Sequence, residues 1–149
     1  MRRLAGAALA VLLLAGCAAE APATDITVTK FVDGDTITLS TGDTVRFIGI
    51  DTPERGVCGY KEATAALKKI VDGKPVVLAG GARTDKDRYG RILRYVSVDG
   101  KDVGLQMIQG GWAIARYDSR DGYGRHPLQT EYIRADAQTP NHCETKAAG

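Results

Sequence analysis

From Asp25 onward, apolar and polar residues alternate with a period of two. "ITVTKFV" at 26–32 alternates, "DGD" at 33–35 supplies a turn, "TITL" at 36–39 alternates again, and "STGD" at 40–43 turns the chain into "TVRFIGID". Successive side chains of a strand point to opposite faces, so these stretches predict short strands joined by tight turns. The period then changes. In "GYKEATAALKKIVDGK" at 59–74, Ala63, Ala66, Leu67, Ile70 and Val71 fall on one side of a helical period, and Asp72-Gly73 stops it. "PVVLAG" at 75–80 and "RILRYVSV" at 91–98 read as two further strands, the second closed by Asp99-Gly100 as a hairpin. "VGLQMIQGG" at 103–111 predicts a short helix with a glycine end, and "HPLQTEYIRADAQ" at 126–138 another, with Pro127 in its first turn. Five short strands with three helices inserted and appended predict an α+β fold: a five-stranded β-barrel of OB type with helices packed on it.

The first residues do not belong to that pattern. "MRRLAGAALAVLLLAGC" has two arginines, an apolar run too short to span a bilayer comfortably, and small residues before a cysteine, the layout of an export signal. Leu14, Ala15, Gly16 and Cys17 resemble the lipobox of bacterial lipoproteins, and that resemblance implies cleavage before Cys17 and a membrane anchor on its sulfur. An ordinary secretory signal cut a few residues later is the competing reading. The expected organisation is a signal peptide over 1–16, a lipidated tether over 17–24 and one domain over 25–145, exported and held at the cell envelope or secreted.

Export changes the charge and cysteine arguments. Removing Arg2 and Arg3 from the 20 basic side chains leaves 18, level with the 18 acidic ones, so no global basic field draws in a polyanion. Any nucleic-acid binding must come from a local patch. With Cys17 committed to lipid, Cys58 and Cys143 remain in an oxidising compartment, and a disulfide between them is the economical expectation. The alternative is a metal site shared with His126 and His142, although the chain has no tight Cys-x-x-Cys or His-x-x-x-His spacing. Both histidines otherwise read as surface or capping residues.

Charge falls where the alternation asks for apolar residues. By parity Arg46 shares a side with Ile48 and Ile50, Asp35 with Ile37 and Leu39, and Arg91 with Leu93 and Tyr95. A charge on a buried face is costly unless it is paired or bound to an ion. Asp35 and Asp51 are hard oxygen ligands suited to Ca2+ or Mg2+, Glu54 lies just beyond them, and Arg46 and Arg91 are forks that match phosphate oxygens. A cation, two guanidinium groups and a carboxylate base suit phosphodiester hydrolysis. Singly the signals are weak. "DGDT" fails as an EF-hand, because Ile37 and Thr38 occupy its fifth-ligand and glycine positions, and the positive charges of "RTDKDRYGR" read equally well as a solvated loop.

Together they carry a resemblance. "VDGDTITL", "VRFIGIDTPE", "DRYGR" and "QGGWAIARY" are similar, in order and approximate spacing, to motifs of the staphylococcal nuclease (thermonuclease) family. The resemblance implies an OB-fold, secreted, Ca2+-dependent endonuclease acting on DNA and RNA and leaving 3'-phosphate ends, a monomer without a protein partner. It implies that Asp35 and Asp51 bind Ca2+ by carboxylate and Thr52 by its backbone carbonyl. Arg46, Glu54 and Arg91 match the catalytic positions, and Arg88, Tyr89 and Tyr117 match substrate-binding ones. The second substrate tyrosine falls on Ser119, so that contact is either absent or taken by Tyr123. The loop after Glu54 is shorter than in the staphylococcal enzyme and holds Cys58, and the chain after Ala137 departs from its last helix. A catalytically inactive OB-fold module binding nucleic acid or phosphate is the alternative, but such a module should lack one of Asp35, Arg46, Glu54 or Arg91.

Overall fold

The alternating stretches fold as strands, but shorter than their patterns and interrupted at one point. A computed structural model describes residues 25–143; the signal and tether expected over 1–24, Cys17 included, and the last two residues of the expected domain lie outside them. In chain order the elements are β1 (Val28–Phe31), β2 (Thr36–Leu39), β3 (Thr44–Phe47), β4 (Ile50–Asp51), α1 (Tyr60–Val71), β5 (Val77–Ala79), β6 (Ile92–Val98), β7 (Lys101–Asp102), α2 (Val103–Gln109), β8 (Ile114–Ala115), a 3-10 turn (Ser119–Asp121) and α3 (Gln129–Gln138). The main sheet runs β1-β2-β3-β6-β5, with β7 on β6. Its β3–β6 pairing is parallel and its others antiparallel, so the sheet is mixed. No strand pairing closes it into a barrel among the described residues. A backbone hydrogen bond from Val76 N to Ile26 O, 2.8 Å, links the chain just ahead of β5 to the chain just ahead of β1.

The core is what the patterns asked for. Ile37, Leu39, Val45, Phe47, Leu93 and Val96 of the sheet meet Ala63, Leu67 and Val71 of α1, and Val103, Met107 and Ile108 of α2. Each of the larger side chains contributes roughly 1.5–3 kcal/mol by leaving water. α1 buries the face that its spacing predicts, with Ala66 and Ile70 at the margin. The β6–β7 hairpin turns on Asp99 (φ 52°) and Gly100 (φ 72°), the pair of positive angles that suits the strand twist.

The expected face of Arg46, Ile48 and Ile50 does not form. Val45 and Phe47 are buried with Arg46 alternating between them, but the strand ends at Phe47, because Gly49 adopts φ 82°. A side chain there would be strained by the backbone, and its Cβ would come within 2.9 Å of Tyr132 Cε2. Beyond that bend the chain leaves the main sheet, and β4 pairs with β8. A second correction concerns α3, which begins at Gln129 and not at Pro127. Leu128 N donates to His126 Nδ1 (3.2 Å) and Gln129 N to His126 O (3.0 Å), a turn that keeps Pro127 outside the helix.

Candidate active site

The sheet register assembles the first part of the site. Arg46 lies opposite Thr36 across β2 and β3, and Phe47 N donates to Asp35 O at 2.8 Å, so the ladder itself carries Asp35 alongside Arg46. Arg46 Nε lies 3.1 Å from Asp35 Oδ1, and its Nη2 3.6 Å from Asp51 Oδ1. The same guanidinium donates to the carbonyls of Phe47 and Ile50. The arginine that a short apolar strand should not hold is thus shared between both aspartates. On its other side, Asp35 Oδ2 accepts from Thr52 N (3.0 Å) and Thr52 Oγ1 (2.9 Å), and Asp35 Oδ1 from Thr36 Oγ1 (3.1 Å).

These bonds do not offset the desolvation of the acids. Burial pushes the Asp35 carboxyl up to about 6 although Arg46 opposes it, and the nearby Asp33 adds to the rise. Asp51 is also raised by burial, against Arg46 and Arg116. One buried and one partly buried carboxylate sharing one guanidinium are a place where an added cation is welcome. The donors suit a hard cation: two carboxylates and a neighbouring carbonyl are all oxygen. Among the described residues no group of three or more His, Cys, Asp or Glu side chains could hold a metal ion, so water and phosphate oxygens would have to complete the shell.

The cationic wall comes from the loop between β5 and β6. Asp87 Oδ2 accepts from Arg91 Nε at 2.7 Å, and Asp87 Oδ1 from the backbone N–H groups of Tyr89 (2.9 Å) and Arg91 (3.0 Å). Burial alone would raise the Asp87 carboxyl, but the Arg91 side chain and those backbone donors hold it below its ordinary value. Arg91 Nη1 also reaches Thr36 Oγ1 at 3.5 Å, which ties this loop to the β2 end of the site. Arg88 donates to the Tyr89 hydroxyl at 2.6 Å, and both Arg88 and Arg91 face the Tyr89 ring, which is 68% exposed.

A cleft of about 780 Å³ gathers most of the expected residues: Asp35, Arg46, Glu54, Arg88, Tyr89, Arg91 and Tyr117 line it. Asp51 and Thr52 are attached from behind, through Arg46 and Asp35. Of the positive charges of "RTDKDRYGR", Arg83 and Lys86 join Arg88 and Arg91 on the cleft wall, the first three exposed and Arg91 partly buried. Ser119 is not on that wall, but Tyr123 is, edge-on to Tyr117 with ring centroids 5.5 Å apart. Tyr123 is thus placed where the tyrosine missing at Ser119 was expected to be replaced. Arg116 had no signal in the sequence. It faces the Tyr117 ring from 5.5 Å while Arg46 faces it from 5.2 Å.

Cys58 and Cys143 are joined in a disulfide, which removes the metal-site alternative for these cysteines. His126 stacks on Tyr95 at 3.5 Å, and burial lowers its pKa. His142 lies against Trp112.

Basic and aromatic side chains set around buried acids make a cleft suited to a polyanion, on a mixed-sheet α+β fold with three helices. The chain belongs to the staphylococcal nuclease family: residues 44–140 match the family described as Staphylococcal nuclease homologue. It is 38% identical over 102 residues to the SPbeta prophage-derived endonuclease YokF of Bacillus subtilis (strain 168), covering 62% of this chain and 34% of that protein. It is 35% identical over 102 residues to Endonuclease YncB of the same organism, covering 62% of this chain and 48% of that protein. With the Probable staphylococcal-like nuclease CAN1 of Oryza sativa subsp. japonica it shares 40% identity over 89 residues, 58% of this chain and 26% of that protein. The chain therefore matches less than half the length of each of these relatives.

Proposed function

We propose that this protein is a Ca2+-dependent endonuclease that hydrolyses phosphodiester bonds of DNA and RNA to 3'-phosphate and 5'-hydroxyl ends, exported and anchored at the envelope through Cys17. The observation that carries the reading is the cleft where the buried Asp35, joined through Arg46 to the partly buried Asp51, meets four basic side chains from one loop. The family and its endonuclease relatives support it. The lipobox-like Leu14-Ala15-Gly16-Cys17 supports the anchor. The bond from Val76 to Ile26 supports curling of the sheet towards an OB-type barrel.

In this reading Asp35 and Asp51 hold Ca2+ by carboxylate and Thr52 by its carbonyl. When bound, the ion neutralises charge on the phosphate and favours an attacking water. Arg91, oriented by Asp87, presents its guanidinium to the phosphate oxygens, and Arg46, whose Nε and Nη1 are held by Asp35 and by the carbonyls of Phe47 and Ile50, offers Nη2. Glu54, exposed at the cleft, takes the proton of the water that attacks phosphorus. The bond from phosphorus to the 5'-oxygen breaks, the leaving oxygen takes a proton from solvent water, and phosphate stays on the 3' side. Arg88, Tyr89, Tyr117 and Tyr123 bind the strand on either side, contacts that read phosphate and stacking more than base edges.

The test is cleavage of single-stranded DNA, duplex DNA and RNA by the purified protein with Ca2+ and with chelator, beside Glu54→Gln and Arg91→Ala. Loss of cleavage with chelator and a fall of about a hundredfold or more in both variants are expected. Binding without cleavage by folded wild type, whatever the divalent metal, would replace the enzyme by a phosphate-binding module.

A further inference from the structure

Glu54 is the least supported member of the cleft. Among the described residues its exposed carboxylate has no hydrogen bond or ion pair, and it sits in a segment, 52–59, without regular secondary structure. A turn closed by Val57 N donating to Glu54 O at 2.9 Å shapes its backbone locally. A group that must meet a water within a few tenths of an ångström needs more than that, since misplacement by about 1 Å can cost a hundredfold in rate.

The C-terminal tail supplies it. Cys143, 85 positions away, is bonded to Cys58 in the same segment as Glu54. Gly59 makes room for the sulfur: a Cβ there would come within 3.0 Å of Cys143 Sγ and 3.2 Å of Pro53 Cγ, and Gly59 also has φ 86°. Gly59 thus lies against both the disulfide sulfur and the proline that immediately precedes Glu54. The tail is itself anchored at the end of α2. His142 Nε2 donates to Gly110 O at 2.8 Å, its backbone N to Gly111 O at 3.4 Å, and its ring lies 3.9 Å from that of Trp112. An unbroken path of bonds therefore runs from α2 through His142, Cys143 and Cys58 to the Glu54 turn.

We propose that this tail is a brace for catalysis: Cys58, Cys143 and His142 are positioning residues that hold the Glu54 carboxylate where it meets the attacking water. The proposal rests on the nuclease reading for its chemistry. Because Glu54 acts in the reaction while Arg88, Tyr89 and Tyr117 bind the strand, releasing the brace lowers kcat and spares KM. An element that merely stabilised the domain would not produce that split in protein that remains folded.

The experiment compares wild type, Cys58→Ser/Cys143→Ser and His142→Ala on single-stranded DNA with Ca2+, well below each melting temperature, with folding checked by near-ultraviolet circular dichroism. Tryptic cleavage after Arg55, in the same turn, reports on the loop independently of activity. The double variant is expected to lose about tenfold or more in kcat with KM within about twofold, and to be cut after Arg55 about tenfold faster. His142→Ala, which keeps the disulfide, is expected to show a smaller change in the same direction, and it decides the matter if the double variant does not fold. Wild-type kcat in a folded, brace-free variant overturns the proposal, as does an unchanged tryptic rate. A wild type that cleaves nothing overturns the nuclease reading instead, and the tryptic rate then decides whether the tail braces the loop.

Discussion

Asp35 and Asp118 are both buried aspartates beside an arginine, 5% and 2% exposed, and their carboxyl groups are shifted in opposite directions. Among the described residues Asp118 is the one carboxylate paired with Arg120, although Arg120 Nη2 also donates to Ala115 O at 2.8 Å. Arg120 Nε lies 3.1 Å from each Asp118 oxygen, Nη2 2.8 Å from Oδ2, and the Arg120 backbone N–H 2.8 Å from Oδ1. Burial raises Asp118, but these bonds outweigh it, while the half-exposed Arg120 keeps part of its water. Asp35 shares Arg46 with Asp51 and with two backbone carbonyls, and ends near 6. The one acid meets its guanidinium with no second carboxylate competing for it, whereas the other shares its guanidinium with a second acid.

The largest expected effect breaks this contrast at Asp35. Asp35→Asn should lower Ca2+-dependent cleavage by about a hundredfold or more, while leaving the metal-free melting temperature level or higher, because a neutral amide avoids the cost of a buried charge. Asp118→Ala should do the reverse. It leaves Arg120 Nε and the Arg120 backbone N–H without their acceptor and should cost about 1–3 kcal/mol in urea unfolding, with cleavage within about tenfold of wild type when folded.

The same contrast sets a pH dependence. Asp35 and Asp51 lie above their ordinary value of 3.8 in the folded state, so the folded protein binds protons more tightly than the unfolded chain there. Between about pH 7 and 4, stability of the Ca2+-free protein should therefore rise at these groups as pH falls. Asp118 and Asp87 lie below 3.8, so their contribution is complete above that value and is lost as pH falls through their lowered values. Urea unfolding across this range should show the upper rise in wild type and a diminished one in Asp35→Asn. At the small end, Lys68→Gln should change stability by less than about 0.5 kcal/mol, since its pair with Asp72 is more than half exposed on both sides.

What was legible in the sequence had local causes. The face of α1, the hairpin at Asp99-Gly100 and the strand "TITL" follow from period and turn chemistry, and the Cys58–Cys143 bond from cysteine number and the expected compartment. The break at Gly49 was not legible, because it depends on Tyr132 approaching from α3 and on β8 replacing the main sheet as partner. Nor was the direct pairing of Arg46 with Asp35 and Asp51: parity drew attention to the charges, but only the sheet register shows that they answer one another. Tyr123 and Arg83 reach the cleft from loops joined by Arg83 N donating to Tyr123 O at 2.6 Å, a contact without a sequence period.

The most direct measurement is the rate of single-stranded DNA cleavage against Ca2+ concentration for wild type, Asp35→Asn and Asp118→Asn, each verified as folded. Wild type and Asp118→Asn are expected to cleave in a Ca2+-dependent way, and Asp35→Asn not above background. Cleavage by Asp35→Asn at the wild-type rate, or by wild type in the presence of chelator, would contradict that expectation.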